Sequence, residues 1–291
     1  MERILFSFDT TISFLKKCAQ ELDRTRGYLS KIGTIEVPNP ADSWIRAKIF
    51  NHISFSTLFF GQRLDLFLES FKNTKINLDI LETLFRGLIE IYSRTLFILN
   101  SPEAEAVKKI IWQDIYIIGL SNPNLARYPE VKNTIRIDYS ILRFLRAEIP
   151  PINVIRKNVQ AWLKGDAIDK KIKAMLKTNR FPGVPQMIRQ YHHENEVPII
   201  PRYFLIRSYS ELSEQLHGNF LMEGFGGDQY SKYRIVAFLT LLTLKFMRTV
   251  SKKTRSEAEI DPLIKEFVEI SVNYKELWRS FLRPERVIAS S

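Results

Sequence analysis

Residues 81–99 read LETLFRGLIEIYSRTLFIL. Apolar side chains recur there every three or four positions, as Leu84, Leu88 and Ile91 show, and this is the period of an α-helix. The other long segments repeat the spacing, strand-type alternation is largely missing, and no Asn-Gly or Asp-Gly hairpin turn occurs. The sequence therefore predicts an all-α fold, a multi-helix bundle of about nine or ten helices with long core helices.

Helix boundaries follow from prolines, glycines and capping residues. Ser101, for example, is a predicted N-cap, with Pro102 at the first helical position and Glu103 in the first turn. We predict helices at 8–31, 42–73, 77–99, 102–118, 136–147, 152–177, 184–195, 202–220, 228–250 and 256–282. They form an N-terminal region, 1–177, and a C-terminal region, 178–291, which we expect to fold as one cooperative unit.

The composition limits the classes of protein to consider. The chain has 291 residues, of which 45% are hydrophobic, and this is enough for a sizeable core. Cys18 is the only cysteine, so an intrachain disulfide and a cysteine-based zinc site are excluded, and a reducing cytoplasm fits. The longest apolar stretch, 235–244, is about half of what a membrane span needs. We expect a cytoplasmic protein with no membrane partner, no metal and no cofactor.

Positive charge is in excess and is unevenly distributed. Lys and Arg number 43 against 32 Asp and Glu, a formal net charge of +11, which favours a polyanionic partner. Residues 151–180 hold eight basic and two acidic side chains, and a second cluster follows at 245–255. The predicted nucleic-acid-binding residues are Arg156, Lys157, Lys164, Lys170, Lys171, Lys173, Lys177, Arg180, Lys245, Arg248, Lys252, Lys253 and Arg255. Solvated helix faces are the plainer interpretation of each cluster alone.

Charged side chains also interrupt the apolar helix described first. Arg86, Glu90 and Arg94 are four residues apart, so they share one helix face. Charges on so apolar a helix are costly unless they are paired, and Glu90 between two arginines provides the pairing. This stripe is either a buried ion-pair ladder or an arginine held by Glu90 so that it can bind a phosphate.

A second stripe contains Tyr209, Ser213 and His217, again four residues apart. It could line a crevice beside the core-facing side of its helix. The simpler alternative is that His217 caps its own helix with Ser213 as a local hydrogen-bond partner. His52 is predicted to be packed and hydrogen bonded, and His192 and His193 are expected at the surface.

Familiar enzyme motifs are absent: there is no P-loop, no dinucleotide glycine fingerprint, no His-Glu-x-x-His and no Gly-x-Ser-x-Gly. The two stripes together resemble something else. Arg-x-x-x-Glu at Arg86 and Glu90, followed by Tyr-x-x-Leu-Ser-x-x-x-His-Gly at 209–218, is similar to bacterial helical proteins of the HEPN-like superfamily (higher eukaryotes and prokaryotes nucleotide-binding). The resemblance covers about residues 75–220.

This resemblance implies a metal-independent endoribonuclease that acts on RNA in a bacterial toxin or phage-defence setting, as a homodimer or within a larger defence complex. The family signature places four to six residues between an arginine and a histidine, whereas nine separate Arg207 from His217 here. The arginine would then come from another helix, as Arg86 or Arg94, with Tyr209 and Ser213 orienting the histidine or the phosphate.

Two alternatives remain open. The chain could be a non-catalytic helical subunit that binds nucleic acid, preferably RNA, or assembles a defence complex through its basic clusters. It could also be a regulatory protein–protein module whose ion pairs are purely structural.

Overall fold

The computed structural model describes residues 8–33, 40–72, 78–120, 128–163, 169–196, 198–216 and 229–254. These residues form ten α-helices and no strand, which confirms the all-α prediction. The helices are α1 (Phe8–Gly33), α2 (Pro40–Lys72), α3 (Leu78–Asn100), α4 (Glu103–Leu120), α5 (Pro129–Phe144), α6 (Ile152–Leu163), α7 (Lys170–Asn179), α8 (Val184–Tyr191), α9 (Arg202–Leu216) and α10 (Gln229–Thr254). The predicted helix at 256–282 lies outside the described residues.

Helices α2 and α3 form the centre of the bundle. Helix α2 packs against α1, α3, α4 and α5, while α3 packs against α2, α8, α9 and α10. The rings of Phe60 and Phe246 stack 4.1 Å apart between α2 and α10, and Phe85 meets Phe238 edge-on at 4.9 Å between α3 and α10. Burying such a side chain stabilises the fold by about 2 kcal/mol. The buried core is continuous from α1 to α10, so it crosses the boundary between residues 177 and 178.

The predicted helix at 152–177 is wrong as a single element, because a second helix starts within it. The Asp169 carboxylate accepts hydrogen bonds from the backbone N–H groups of Lys171 and Ile172, at 2.8 and 3.1 Å, and thereby caps α7. Helix α5 begins seven residues before the predicted position, because Pro129 occupies its first turn.

Two predicted helix ends also differ. Ser101 does not cap α4, since its hydroxyl is buried without a hydrogen-bond partner among the described residues. Pro102 takes the capping position instead, where its carbonyl accepts from the N–H of Ala106 at 3.0 Å. Helix α8 ends at Tyr191 because His192 turns to an extended backbone.

Within the part of the chain that the structure describes, no helix combines the length and the apolar character needed to cross a membrane.

Candidate functional site

The structure brings the two predicted stripes together where α3 meets α9. Arg86 donates from Nε to the Ser213 hydroxyl at 3.0 Å, and its guanidinium carbon lies 5.4 Å from the centre of the Tyr209 ring. The Ser213 hydroxyl in turn donates to the Tyr209 carbonyl at 2.7 Å. Helix α9 thus orients Arg86 through a hydrogen bond and a cation–π contact. No described residue hydrogen bonds to the two terminal nitrogens of Arg86, which is partly exposed.

The expected ladder of two arginines around Glu90 is only half formed. Glu90 pairs with Arg94 at 2.5 Å, one helical turn along α3. The described contacts of Arg86 run to α9 instead, because its side chain follows Ser213 and Tyr209. The guanidinium of Arg94 lies 5.9 Å from the ring centre of Phe181, so the two arginines serve different parts of the fold.

A guanidinium from α2 lies against α3 at Gly87, the residue after Arg86, and was not predicted from the sequence. Gly87 leaves room for Arg63 of α2, since a Cβ built on Gly87 would come within 2.5 Å of the Arg63 Nη1. The missing side chain lets the guanidinium lie against the α3 backbone.

His217 lies outside the described residues, as does Gly218. Helix α9 ends at Leu216, one residue before it. That His217 forms one site with Arg86 or Arg94 therefore stays a prediction.

The first basic cluster forms an exposed surface on α6 and α7. Helix α7 buries Ile172 and Met175 on one side. Its other side carries what we call the α7 basic face, which is Lys170, Lys173 and Lys177. The exposed predicted residues of this cluster are Lys157, Lys170, Lys171, Lys173, Lys177 and Arg180.

Ion pairing is sparse on this surface. Lys171 pairs with Glu148 at 2.7 Å, and the pairing raises the pKa of Lys171. No described residue forms an ion pair with the α7 basic face. Lys164 and the side chain of Arg156 lie outside the described residues.

Lys245, in the second basic cluster, does not lie on the predicted nucleic-acid surface. Lys245 is only 2% exposed, so it cannot contact an external phosphate. Its ammonium donates to the carbonyls of His193 and Glu196 at 2.8 and 2.7 Å. Burial lowers the pKa of Lys245 to about 8, against the attraction of the Glu196 carboxylate. The prediction for Lys245 is wrong because this lysine is a buried tether.

The remaining members of that cluster are mixed. Lys252 is exposed but pairs with Glu196 at 2.7 Å, and Arg248 is partly exposed. Arg255 and the side chain of Lys253 lie outside the described residues.

His192 was expected at the surface but is buried, with 1% exposure. Its Nδ1 accepts from the Tyr92 hydroxyl at 2.7 Å, because Nε2 must carry the proton that it donates to the Ile200 carbonyl at 2.7 Å. Burial lowers the pKa of His192 to about 4, so the ring is neutral. His193 is exposed, as expected.

A cleft between α2, α4 and α5, with charged side chains at its base, was missed by the sequence analysis. Lys48 lies at its base and contacts the Asp114 carboxylate at 2.6 Å and the Asp138 carboxylate at 3.0 Å. The cleft has a volume of about 500 Å³. Its walls include Trp44, Asn51, His52, Phe55, Thr134 and Ile137.

Lys48 carries one positive charge and faces two carboxylates, so one negative charge of this cluster is not neutralised. Burial raises the pKa of Asp138 to about 6, despite the attraction of Lys48. Burial also opposes the charge on Lys48, but the two carboxylates outweigh it and raise the pKa of that lysine. Asp138 is the more buried of the two carboxylates, and it therefore binds a proton more readily than an aspartate in water does.

His52 belongs to this cleft. No hydrogen bond joins its ring to another described residue, contrary to the prediction, and it stacks on Phe181 at 6.2 Å. Burial lowers the pKa of His52 to about 4. A sequence signal for the cleft did exist, because Trp44, Lys48 and Phe55 are spaced as one face of α2.

Comparison of the chain with protein-family models, with curated proteins and with solved structures gives no match. The structure also places no three His, Cys, Asp or Glu side chains of its described residues close enough together to hold a metal ion.

Proposed function

We propose that the protein binds RNA along the α7 basic face. The observation that carries the proposal is the exposure of Lys170, Lys173 and Lys177 on one side of a helix with no described ion-pair partner. An ammonium group without a carboxylate neighbour releases condensed counterions when it meets a phosphate, and this drives association.

Neighbouring charges support the same surface. Lys157 and Arg180 are exposed on α6 and just after α7. Helix α7 packs against α4 and buries Ile172 and Met175, and this packing orients the helix so that its lysines face outward.

A charge-reversal pair tests the proposal. Lys170→Glu/Lys173→Glu should lower the affinity for a single-stranded RNA by at least about tenfold and reduce the salt slope by about two. Lys16→Glu/Lys17→Glu is the matched control, since it makes the same charge change at exposed positions of α1. Fluorescence anisotropy across a salt series measures both. Equal loss in the two variants, or in neither, would contradict a specific surface on α7.

RNA cleavage is the second candidate function, and a different observation favours it. Ser213 and Tyr209 orient Arg86 while its terminal nitrogens have no described partner, as a phosphate-binding arginine requires. Helix α9, which supplies both residues, ends one position before His217.

The proposed chemistry is metal-independent cleavage of an RNA phosphodiester. His217 would take the proton from the ribose 2′-OH or protonate the leaving 5′-oxygen, and Arg86 would stabilise the charge on the phosphorane. The products would end in a 2′,3′-cyclic phosphate. A toxin or phage-defence role, alone, as a homodimer or in a larger complex, is part of this proposal.

His217→Ala separates the two functions. Cleavage should be lost in this variant while RNA affinity is kept. Cleavage at the wild-type rate by a folded His217→Ala protein would remove the nuclease proposal and leave the binding proposal intact.

A further inference from the structure

The cleft between α2, α4 and α5 has aromatic walls that the fold leaves uncovered. Trp44 is 42% exposed and Phe55 is 59% exposed, and both lie on the face of α2 that lines the cleft. Ligand sites in proteins commonly combine such apolar walls with a few convergent polar groups. The volume of about 500 Å³ lies within the range of small-molecule pockets.

The charges at the base of the cleft select against anions. Lys48 directs its ammonium at Asp114 and at both oxygens of Asp138, the latter at 3.0 and 3.1 Å. Three acceptor atoms account for the three N–H donors of the ammonium group. Lys48 is therefore occupied, and two carboxylates face one positive charge.

Asp114 is the acceptor left over. Lys48 contacts its Oδ2 at 2.6 Å, and no described residue donates a hydrogen bond to Oδ1. The Asp114 side chain is partly exposed, whereas the Asp138 side chain is almost fully buried. A ligand that enters the cleft thus meets a carboxylate with free lone pairs, not a cation.

We propose that this cleft binds a planar nitrogen heterocycle with adjacent N–H donors, the chemistry of a guanine base, stacked on Trp44 and donating to Asp114. The two N–H groups of a guanine edge match a carboxylate that can still accept hydrogen bonds. Aromatic side chains provide a stacking surface for any base. Asn51 and Thr134 line the same cleft and provide partners for the other ring atoms.

The charge state of His52 is consistent with a ligand that donates hydrogen bonds to a carboxylate. The ring lines the cleft in its neutral form, because burial lowers its pKa. The nearby Asp114 carboxylate raises the pKa, but the positive charges of Arg94 and Lys48 lower it further. The cleft therefore keeps its excess of negative charge at neutral pH.

The base could arrive as a free nucleoside or as part of a bound RNA strand. Binding of the free nucleoside does not depend on the proposed function, whereas recognition within a strand rests on it. Two arms of one experiment distinguish the sources. The first titrates guanosine and inosine, which lacks the second donor. The second compares a uridine-rich single strand with the same strand that carries one guanosine.

Saturation-transfer NMR and equilibrium dialysis measure the first arm on the full chain. Guanosine should bind about tenfold more tightly than inosine, and Asp114→Asn should remove that preference. Trp44→Ala should weaken both nucleosides, whereas Tyr203→Ala, which removes an exposed ring on α9, should change neither. Circular dichroism identifies any variant that fails to fold.

The outcomes are distinct. Guanosine that does not bind, or that binds equally well to the wild type and to folded Trp44→Ala, would overturn the proposal. Guanosine binding that persists in Lys170→Glu/Lys173→Glu, together with loss of RNA affinity, would support both proposals as separate sites. If the wild type prefers the strand that carries a guanosine and Asp114→Asn does not, the ligand is a base of the strand. If the wild type shows no such preference, the cleft is assigned to free nucleosides.

Discussion

Arg86 in α3 donates its Nε–H to the Ser213 hydroxyl in α9 at 3.0 Å, across 127 positions of sequence. This bond holds the Nε–H of the guanidinium on α9, and no described residue hydrogen bonds to its terminal nitrogens. Arg94, two turns along the same helix, is instead held by Glu90. The two arginines of one sequence stripe therefore have different chemical environments, and substitutions should separate their roles.

Arg86→Gln should lower RNA cleavage by at least about a hundredfold, because a charge-stabilising donor to the transition state is lost. Ser213→Ala should lower it less, by about tenfold, because the guanidinium remains but loses its orientation. Gel analysis of a labelled RNA measures both. Arg94→Gln is the matched control and should cleave normally. Equal effects of Arg86→Gln and Arg94→Gln would contradict the distinction.

Lys245→Met should destabilise the fold without weakening RNA binding. The change removes two hydrogen bonds and leaves the carbonyls of His193 and Glu196 without their donor. We expect a loss of about 1–3 kcal/mol in the free energy of unfolding. Urea denaturation and RNA anisotropy check the two parts. Weakened RNA binding at unchanged stability would mean that Lys245 serves the surface after all.

Asp138→Asn should change how stability depends on pH. The pKa of Asp138 is raised from 3.8 to about 6, so the native state binds the proton more tightly than the unfolded chain does. This contribution to stability is present at low pH and is lost as pH rises through about 6. The asparagine side chain in the Asp138→Asn variant does not titrate. The free energy of unfolding of this variant, relative to that of the wild type, should therefore rise by up to about 3 kcal/mol from pH 4 to pH 7. Denaturation curves at both pH values measure it, and a constant difference would contradict the raised pKa.

His192 should produce the opposite trend. Its pKa falls from 6.5 to about 4 in the native state, so its contribution to stability is present above pH 6.5 and is lost as pH falls towards 4. His192→Phe should cost about 3 kcal/mol at neutral pH, because it removes the hydrogen bonds that the imidazole makes with the Tyr92 hydroxyl and the Ile200 carbonyl. The same variant should lose less stability on acidification than the wild type. His193→Phe, at an exposed position, is the control and should behave as the wild type.

The fold class was predictable because helical periodicity is a local property. The same locality explains the errors. The pattern continues from α6 into α7, whereas in the structure the Asp169 carboxylate caps the start of α7 as a separate helix. Lys245 counts as one more positive charge in the sequence, although its burial depends on carbonyls about 50 residues away.

In the candidate sites, too, the features on a single helix were predictable and the contacts between helices were not. Spacing placed Tyr209 and Ser213 on one helix face, but their contact with Arg86 spans more than 100 positions and no local pattern specifies it. The face of α2 that carries Trp44 and Lys48 was readable from the sequence. Its partners Asp114 and Asp138 come from two other helices, so the cleft exists only after tertiary packing.

The hydrogen bond between Tyr92 and His192 joins residues 100 positions apart. Closing so long a loop is entropically costly, and contacts of this range slow folding when they form in the transition state. The helices between these residues can form first, because their contacts are more local. We therefore expect the docking of His192 onto Tyr92 of α3 to be a late kinetic event, after which α9 can bring Ser213 to Arg86.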